Sequence, residues 1–259
     1  MSEFILVERD GPVTIITLNR PEVLNALHAP AQFEAEKVFD DFVADPDQWV
    51  AIVTGAGDRA FSAGGDLVNL SRDRAKSRPK SGFAGLNRRF DVGKPLIAAV
   101  NGIAFGGGFE TALSCDIILA ADNARFCLSE PRVGLAALGG GLQRLPRAIG
   151  TKRALGLILT AAEVSAAEGL ALGFVNAVVP QAELMATARD WARRICELSP
   201  MAIRASKEAV YRGLDEPSLE AAMRHQRWYP AVQAMIESED FVEGPKAFAE
   251  KRKPQWKGR

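Results

Sequence analysis

Leu96-Ile-Ala-Ala-Val-Asn-Gly-Ile-Ala-Phe-Gly-Gly-Gly-Phe-Glu110 runs from an apolar stretch, through three consecutive glycines, into a second apolar segment holding one carboxylate. Residues 96–100 are short and uncharged, bounded by Pro95 and Asn101-Gly102, and predict a buried strand. Gly106, Gly107 and Gly108 have no Cβ, so a ligand can approach the backbone closely and positive φ costs little. Phe109-Glu-Thr-Ala-Leu-Ser-Cys115 reads as the first turns of a buried helix. A helix N-terminus presents unpaired N–H groups and a partial positive charge. Such a site suits an oxyanion, and a carboxylate in apolar surroundings suits proton transfer.

The same order recurs upstream. Residues 50–54 predict a strand, followed by a loop over 55–66 that contains Gly64-Gly65. Repeated strand-then-helix units predict an α/β fold with largely parallel strands. Residues 4–8 and 13–18 flank Asp10-Gly11, a hairpin signal. Residues 31–43 carry Phe33, Val38, Phe39 and Phe42 at helical spacing and stop before Pro46. Further strands are predicted at 117–120, 124–127 and 175–179, and helices at 142–149, 152–159 and 166–172. From Gln181 the pattern is helical to the end, with a break at Ser199-Pro200 that divides the chain into 1–198 and 199–259. The second part mixes many charges with Trp228, Tyr229, Phe241, Phe248 and Trp256, a composition that predicts burial against another subunit.

At 259 residues and 47% hydrophobic, the chain can bury the core of one large domain. Basic and acidic residues both number 32, so net charge gives no support to a nucleic-acid partner. The charge is nevertheless uneven. Residues 71–89 hold Arg72, Arg74, Lys76, Arg78, Lys80, Arg88 and Arg89 against Asp73 alone. Residues 244–259 hold Lys246, Lys251, Arg252, Lys253, Lys257 and Arg259 against Glu250 alone. A solvated surface and a grip on a small polyanion are both compatible with these runs. Cys115, Cys127 and Cys196 are odd in number and widely spaced, which predicts a reducing compartment rather than a disulfide framework or zinc site. His28 and His225 are too few for a His-rich metal site and are expected in surface or packing roles. Strand-like sequence begins at Phe4, and the apolar region 95–121 is interrupted by Asn101, four glycines, Glu110 and Asp116. A soluble cytoplasmic protein without membrane contact is expected.

Glu110 is the first catalytic candidate, because charged residues are seldom surrounded by apolar ones without a reason. Desolvation would raise its pKa towards the range useful for acid–base work. Glu130 follows strand-like sequence just before Pro131, and two carboxylates at the ends of adjacent elements could share one substrate. Phe61-Ser-Ala-Gly-Gly-Asp66 is a second glycine loop, with Asp66 either a helix N-cap or the flank of a second backbone donor. Neither loop has the GxGxxG form, and the Gly-Lys-Ser/Thr of a P-loop is absent.

Asn19-Arg-Pro-Glu-Val-Leu-Asn-Ala-Leu27, Phe61-Ser-Ala-Gly-Gly-Asp-Leu67 and Asn101-Gly-Ile-Ala-Phe-Gly-Gly-Gly-Phe-Glu110 resemble, in that order, the successive signatures of the crotonase superfamily, the enoyl-CoA hydratases and isomerases. With Phe83-Ala-Gly-Leu86 and the closing residues 243–259, the chain is most similar to the crotonobetainyl-CoA hydratase (carnitinyl-CoA dehydratase) branch. The resemblance implies a spiral of ββα units over 1–198 and a helical trimerisation region over 199–259, assembled as a homotrimer or a dimer of trimers. It implies an oxyanion hole made by the N–H groups of Gly65 and Gly107, with Glu110 and Glu130 as catalytic carboxylates. It also implies coenzyme A contacts at Ala26, Ala63, Gly65, Asp66, Leu67, Val68, Gly107, Phe248 and Lys251, with the run from Arg72 to Lys80 as a further candidate. No metal or permanently bound cofactor is implied; coenzyme A arrives as part of an acyl-CoA thioester.

Both carboxylates together fit reversible addition of water to the C2=C3 bond of a 2-enoyl-CoA, with a crotonobetainyl-CoA-like substrate in view. Glu110 would activate the water towards C3 while Glu130 delivers the C2 proton, roles that a shared proton network allows to be exchanged. A Δ3-to-Δ2 enoyl-CoA isomerase and a non-catalytic acyl-CoA-binding protein are the alternatives. One segment departs from the family pattern: Gly134-Leu-Ala-Ala-Leu-Gly-Gly-Gly-Leu-Gln-Arg-Leu145 has Ala137 in the usual proline position and Leu142 in the usual threonine position. That segment helps wall the acyl pocket, so the departure bears on substrate choice.

Overall fold

The computed structural model describes residues 3–68 and 78–259. The first hairpin forms as expected, with β1 (Ile5–Asp10) antiparallel to β2 (Val13–Leu18) and Gly11 at φ 57° in the turn. Helix α1 (Ala29–Ala44) follows, and β2 then pairs in parallel with β3 (Val50–Gly55). The sheet continues through β5 (Leu96–Val100), β7 (Ile117–Ala121) and β10 (Ala177–Val179), giving the order β1-β2-β3-β5-β7-β10.

A second sheet has the order β4-β6-β8-β9, from Ala60–Ser62, Ile103–Phe105, Arg125–Cys127 and Val164–Ser165. Each of β3, β5 and β7 in the large sheet is thus followed by a strand of the small one. This is the expected spiral. The sequence reading had folded β4 into the loop over 55–66 and β6 into the glycine loop. Strands of three residues are too short to show an alternating pattern.

The central parallel strands β3, β5 and β7 are buried on both faces, as parallel strands covered by helices must be. Ala51, Val53, Ala98, Val100, Ile118 and Ala120 face the main core, where Phe109, Phe126 and Phe174 stack with centroids 5.1–5.2 Å apart. Val50, Ile52, Ile97, Ala99, Leu119 and Ala121 face the other way. There they meet Leu184, Ala188 and Ala192, spaced four apart on one side of a helix over Leu184–Cys196.

That helix is the sixth of the described ones. After α1 come α2 (Gly107–Ala112), α3 (Gly141–Ile149), α4 (Thr151–Thr160) and α5 (Ala166–Leu172), then α6 (Leu184–Cys196). Beyond Ser199, which caps the next helix through its hydroxyl, come α7 (Pro200–Gly213), α8 (Leu219–His225), α9 (Pro230–Ile236) and α10 (Glu239–Ala249). The chain then leaves the expected helix, with 253–259 running without regular structure where Pro254 and Gly258 disfavour it. Among the described residues no helix is long and apolar enough to cross a membrane.

Candidate functional site

The two glycine loops meet at Gly64, which sits at φ 90°. A Cβ there would lie 2.7 Å from Phe105 O and 2.9 Å from Gly107 N, so only glycine allows the contact. The first loop is laid down as a ledge against 24–27. Ala63 N donates to Leu24 O at 2.9 Å, Leu27 N to Gly64 O at 2.8 Å, and Asp66 N to Leu27 O at 3.2 Å. In such a parallel bridge the residue between the two bonded ones turns its own N–H to the opposite side. That residue is Gly65. Gly107 opens α2, where the first N–H groups have no partner within the helix. Gly65 and Gly107 are part-exposed, while Gly64, Gly106 and Gly108 are buried.

Ala26, Ala63, Gly65, Asp66 and Gly107 therefore lie along the two loops where they meet. Leu67 and Val68 follow the ledge in helical backbone, both exposed. Arg72, Arg74 and Lys76 of the basic run lie outside the described residues; Arg78 and Lys80 are exposed. Phe248 and Lys251 are set elsewhere in this protomer. Phe248 is 87% exposed on α10, which packs on α7 and α9, and Lys251 just beyond it is also exposed. Asp66 has a role beyond the N-cap reading: its carboxylate pairs at 3.1 Å with Arg20, whose same nitrogen also reaches Ala26 O. Asn25 does more. Its buried amide accepts from Arg20 N and donates to Ala56 O and Ala60 O, tying three loops together at a residue with φ 55°.

Glu110 lies on the buried side of α2 and is 4% exposed. Its Oε1 accepts from Gly141 N at 3.0 Å. A Cβ on Gly139 would lie 2.4 Å from its Oε2, so the glycine run 139–141 wraps the carboxylate closely. Burial pushes the Glu110 carboxyl up, and the N–H groups of Gly141 and Gly139 and the Arg144 charge offset part of that rise. Glu130 opens a 3-10 turn over Glu130–Val133 rather than ending a strand, because β8 stops at Cys127. Its Oε1 sits 3.3 Å from where a Cβ on Gly106 would be, beside the second glycine loop. Its Oε2 is buried without a hydrogen-bond partner among the described residues. Burial pushes Glu130 up to about 7; its own N–H offsets a little of this and the Glu110 charge adds to it.

This gives a stability prediction. A carboxyl whose pKa is raised in the fold contributes stability that is complete below its unfolded value of 4.5 and is lost as pH rises through about 7. Glu130→Gln removes that loss. Thermal melts should show the variant more stable than wild type at about pH 8, on the order of 2 kcal/mol once partial solvent access is discounted, with the gap closing towards about pH 4. Equal melting curves at the higher pH would show that Glu130 is solvated.

Sequence reasoning missed the groups around these carboxylates. Phe83 presses its ring edge on the site: a Cβ on Gly107 would lie 2.6 Å from Phe83 Cε1, and one on Gly65 3.9 Å from Cε2. Asn87, Thr111 and Ser114 form a polar cluster behind α2. The glycine run 139–141 was visible in the sequence, but its grip on Glu110 was not. Ala137 is buried and meets Gly141, and Leu142 packs on the main core, so both departures occupy apolar ground. His28 packs edge-on against Phe4, and His225 pairs with Glu216 on the surface, in line with the expected minor roles.

Residues 8–259 match the enoyl-CoA hydratase/isomerase family. The chain belongs to that family. It is 46% identical to a carnitinyl-CoA dehydratase of Escherichia coli over 100% of both chains. A crystal structure of an enoyl-CoA hydratase from Mycobacterium tuberculosis superposes with a TM-score of 0.91 at 34% identity, covering 99% of each chain. A carnitinyl-CoA hydratase from Mycobacterium avium superposes with a TM-score of 0.78 at 38% identity, again over 99% of each. For a member of this family, two desolvated carboxylates beside two converging glycine loops are a complete set of groups for proton transfer next to a thioester enolate.

Proposed function

We propose that this chain is a hydro-lyase that adds water reversibly across the C2=C3 bond of a 2-enoyl-CoA, with the crotonobetainyl-CoA/carnitinyl-CoA pair as its substrate class. The carrying observation is the pairing of buried Glu110 with part-buried Glu130, whose carboxyl is held near 7, beside the Gly65 and Gly107 backbone. The thioester carbonyl would accept from the two N–H groups, which stabilise the enolate that develops there. Glu110, whose rise through burial is partly offset by two backbone donors, takes a proton from the water as it bonds to C3. Glu130, protonated below about 7, delivers its proton to C2.

Both directions need one proton on the pair, so kcat/KM should be bell-shaped in either direction, with its alkaline limb near 7. A flat profile across that region would contradict the assignment of Glu130. The relatives' names support the betaine substrate, and Phe83 beside the glycines offers an aromatic surface suited to a quaternary ammonium group. A panel of short, long, branched and betainyl enoyl-CoAs tests this. The betainyl substrate should give the highest kcat/KM, and preference for a plain acyl chain would reject the substrate class.

Residues 199–259 would carry assembly into a homotrimer or dimer of trimers, apart from the catalytic core of 1–198. Leu219, Met223, Trp228, Phe241 and Val242 are all at least half exposed there, more apolar surface than a monomer keeps in water. Coenzyme A would enter only as part of the substrate, its phosphates held by basic residues such as Lys251 with Phe248 beside it, across a subunit boundary. The unpaired thiols of Cys115, Cys127 and Cys196 accord with a cytoplasmic location.

A further inference from the structure

Asn87 is 2% exposed, and its Nδ2 has no hydrogen-bond partner among the described residues. A buried amide donor left unpaired costs about 1–3 kcal/mol, and native structures keep few of them. This one faces the hydration site. Asn87 Nδ2 lies 3.1 Å, and Glu110 Oε2 2.4 Å, from the point where a Cβ on Gly139 would sit. The two atoms thus flank the bare face of one glycine without bonding to each other, and the carboxylate opposite favours the N–H end of the amide.

The main chain of Asn87 is held firmly: its oxygen accepts from Arg144 Nη2 at 2.9 Å, and its N–H donates to Phe83 O at 3.1 Å. Thr111 Oγ1 and Ser114 Oγ lie 3.3 Å from its Oδ1, each with a shorter bond of 2.8 Å to Gly107 O and Glu110 O respectively. The backbone just before it is fixed in an unusual shape. Ala84 is strained into the left-handed region at φ 55°, and Gly85 packs so close to α1 that a Cβ there would lie 2.2 Å from Glu36 N. Strain of this kind persists where the surroundings fix a functional geometry.

Resting on the hydration reading above, we propose that the Asn87 side chain contacts the reacting oxygen, donating from Nδ2 to the water or C3 hydroxyl held against Glu110 Oε2. A water there donates one hydrogen to Glu110 Oε2 and accepts from Asn87 through one lone pair. Its second lone pair remains for C3. As the O–C3 bond forms, the shared hydrogen passes to Glu110, the C2=C3 electrons move to C2, and C2 takes the proton of Glu130. Proton exchange within the pair then restores the starting state.

The test compares two ligands of the same acyl chain by calorimetry: the 3-hydroxyacyl-CoA and the saturated acyl-CoA, which has only hydrogen at C3. Asn87→Leu and Asn87→Asp are both close in shape, and the second carries the test if the first fails to fold. Each variant should lose about 10-fold affinity for the hydroxyl ligand, the worth of one buried hydrogen bond, and hold the saturated one within about twofold. Equal weakening of both ligands, or of neither, would overturn the proposal. Wild-type protein that prefers the hydroxyl ligand yet hydrates no enoyl-CoA would instead refute the hydration reading, with the Asn87 contact intact.

Discussion

Glu110→Gln should lower kcat for hydration by about 10²–10⁴-fold, the usual worth of one positioned acid–base group. Its binding of saturated acyl-CoA should stay near that of wild type. The substitution is nearly isosteric, and the glutamine oxygen can still accept the Gly141 N–H that Glu110 Oε1 now takes at 3.0 Å. The glycine run 139–141 therefore keeps its shape, and Gly65 and Gly107 are untouched. Removing a carboxylate that burial already disfavours should not lower the melting temperature. Single-turnover and steady-state rates on one enoyl-CoA check the result. Turnover near the wild-type rate would remove Glu110 from the chemistry.

Gly64→Ala should be nearly as damaging, though residue 64 touches neither carboxylate in the mechanism. Its Cβ would press on Phe105 O and Gly107 N, moving apart the two loops that meet there and carry the proposed oxyanion donors. Misplacing one oxyanion donor costs about 10²–10³ in kcat. Positive φ adds backbone strain of roughly 1–2 kcal/mol for any residue with a Cβ. Gly173→Ala separates the two effects, because Gly173 has φ 94° and nothing within 4 Å of its Cβ position. Gly173→Ala should lose melting temperature through the strain alone, Gly64→Ala should lose more because the clash adds to it, and only Gly64→Ala should lose turnover. Comparable activity in the two would mean that the contact between the loops does not hold the oxyanion site together.

The sequence made the parallel sheet legible because strands buried on both faces read as unbroken apolar runs, as at residues 50–54 and 96–100. It made Glu110 legible through contrast, one charge among glycine, phenylalanine and alanine. Glu130 was harder, since its burial depends on packing against Gly106, which lies far away in the chain. The small sheet escaped notice because its strands have two or three residues and draw their stability from pairing with each other. Asn87 escaped for a related reason: a polar residue after a glycine turn reads as loop, and only the fold brings it behind α2. Phe248 and Lys251 mark a further boundary. Their exposed position on the last helix leaves their proposed role to an assembly that one chain does not contain.

Hydration is the claim on which the roles of Glu110, Glu130 and Asn87 all depend, and labelled solvent reads it directly. Crotonobetainyl-CoA and crotonyl-CoA are incubated with the protein in ¹⁸O water, and the products are resolved by mass spectrometry. One ¹⁸O atom at C3 of a 3-hydroxyacyl-CoA is the expected result, lost in Glu110→Gln. Migration of the double bond from C2=C3 to C3=C4 without label uptake, or binding of both substrates with no conversion, would contradict the account.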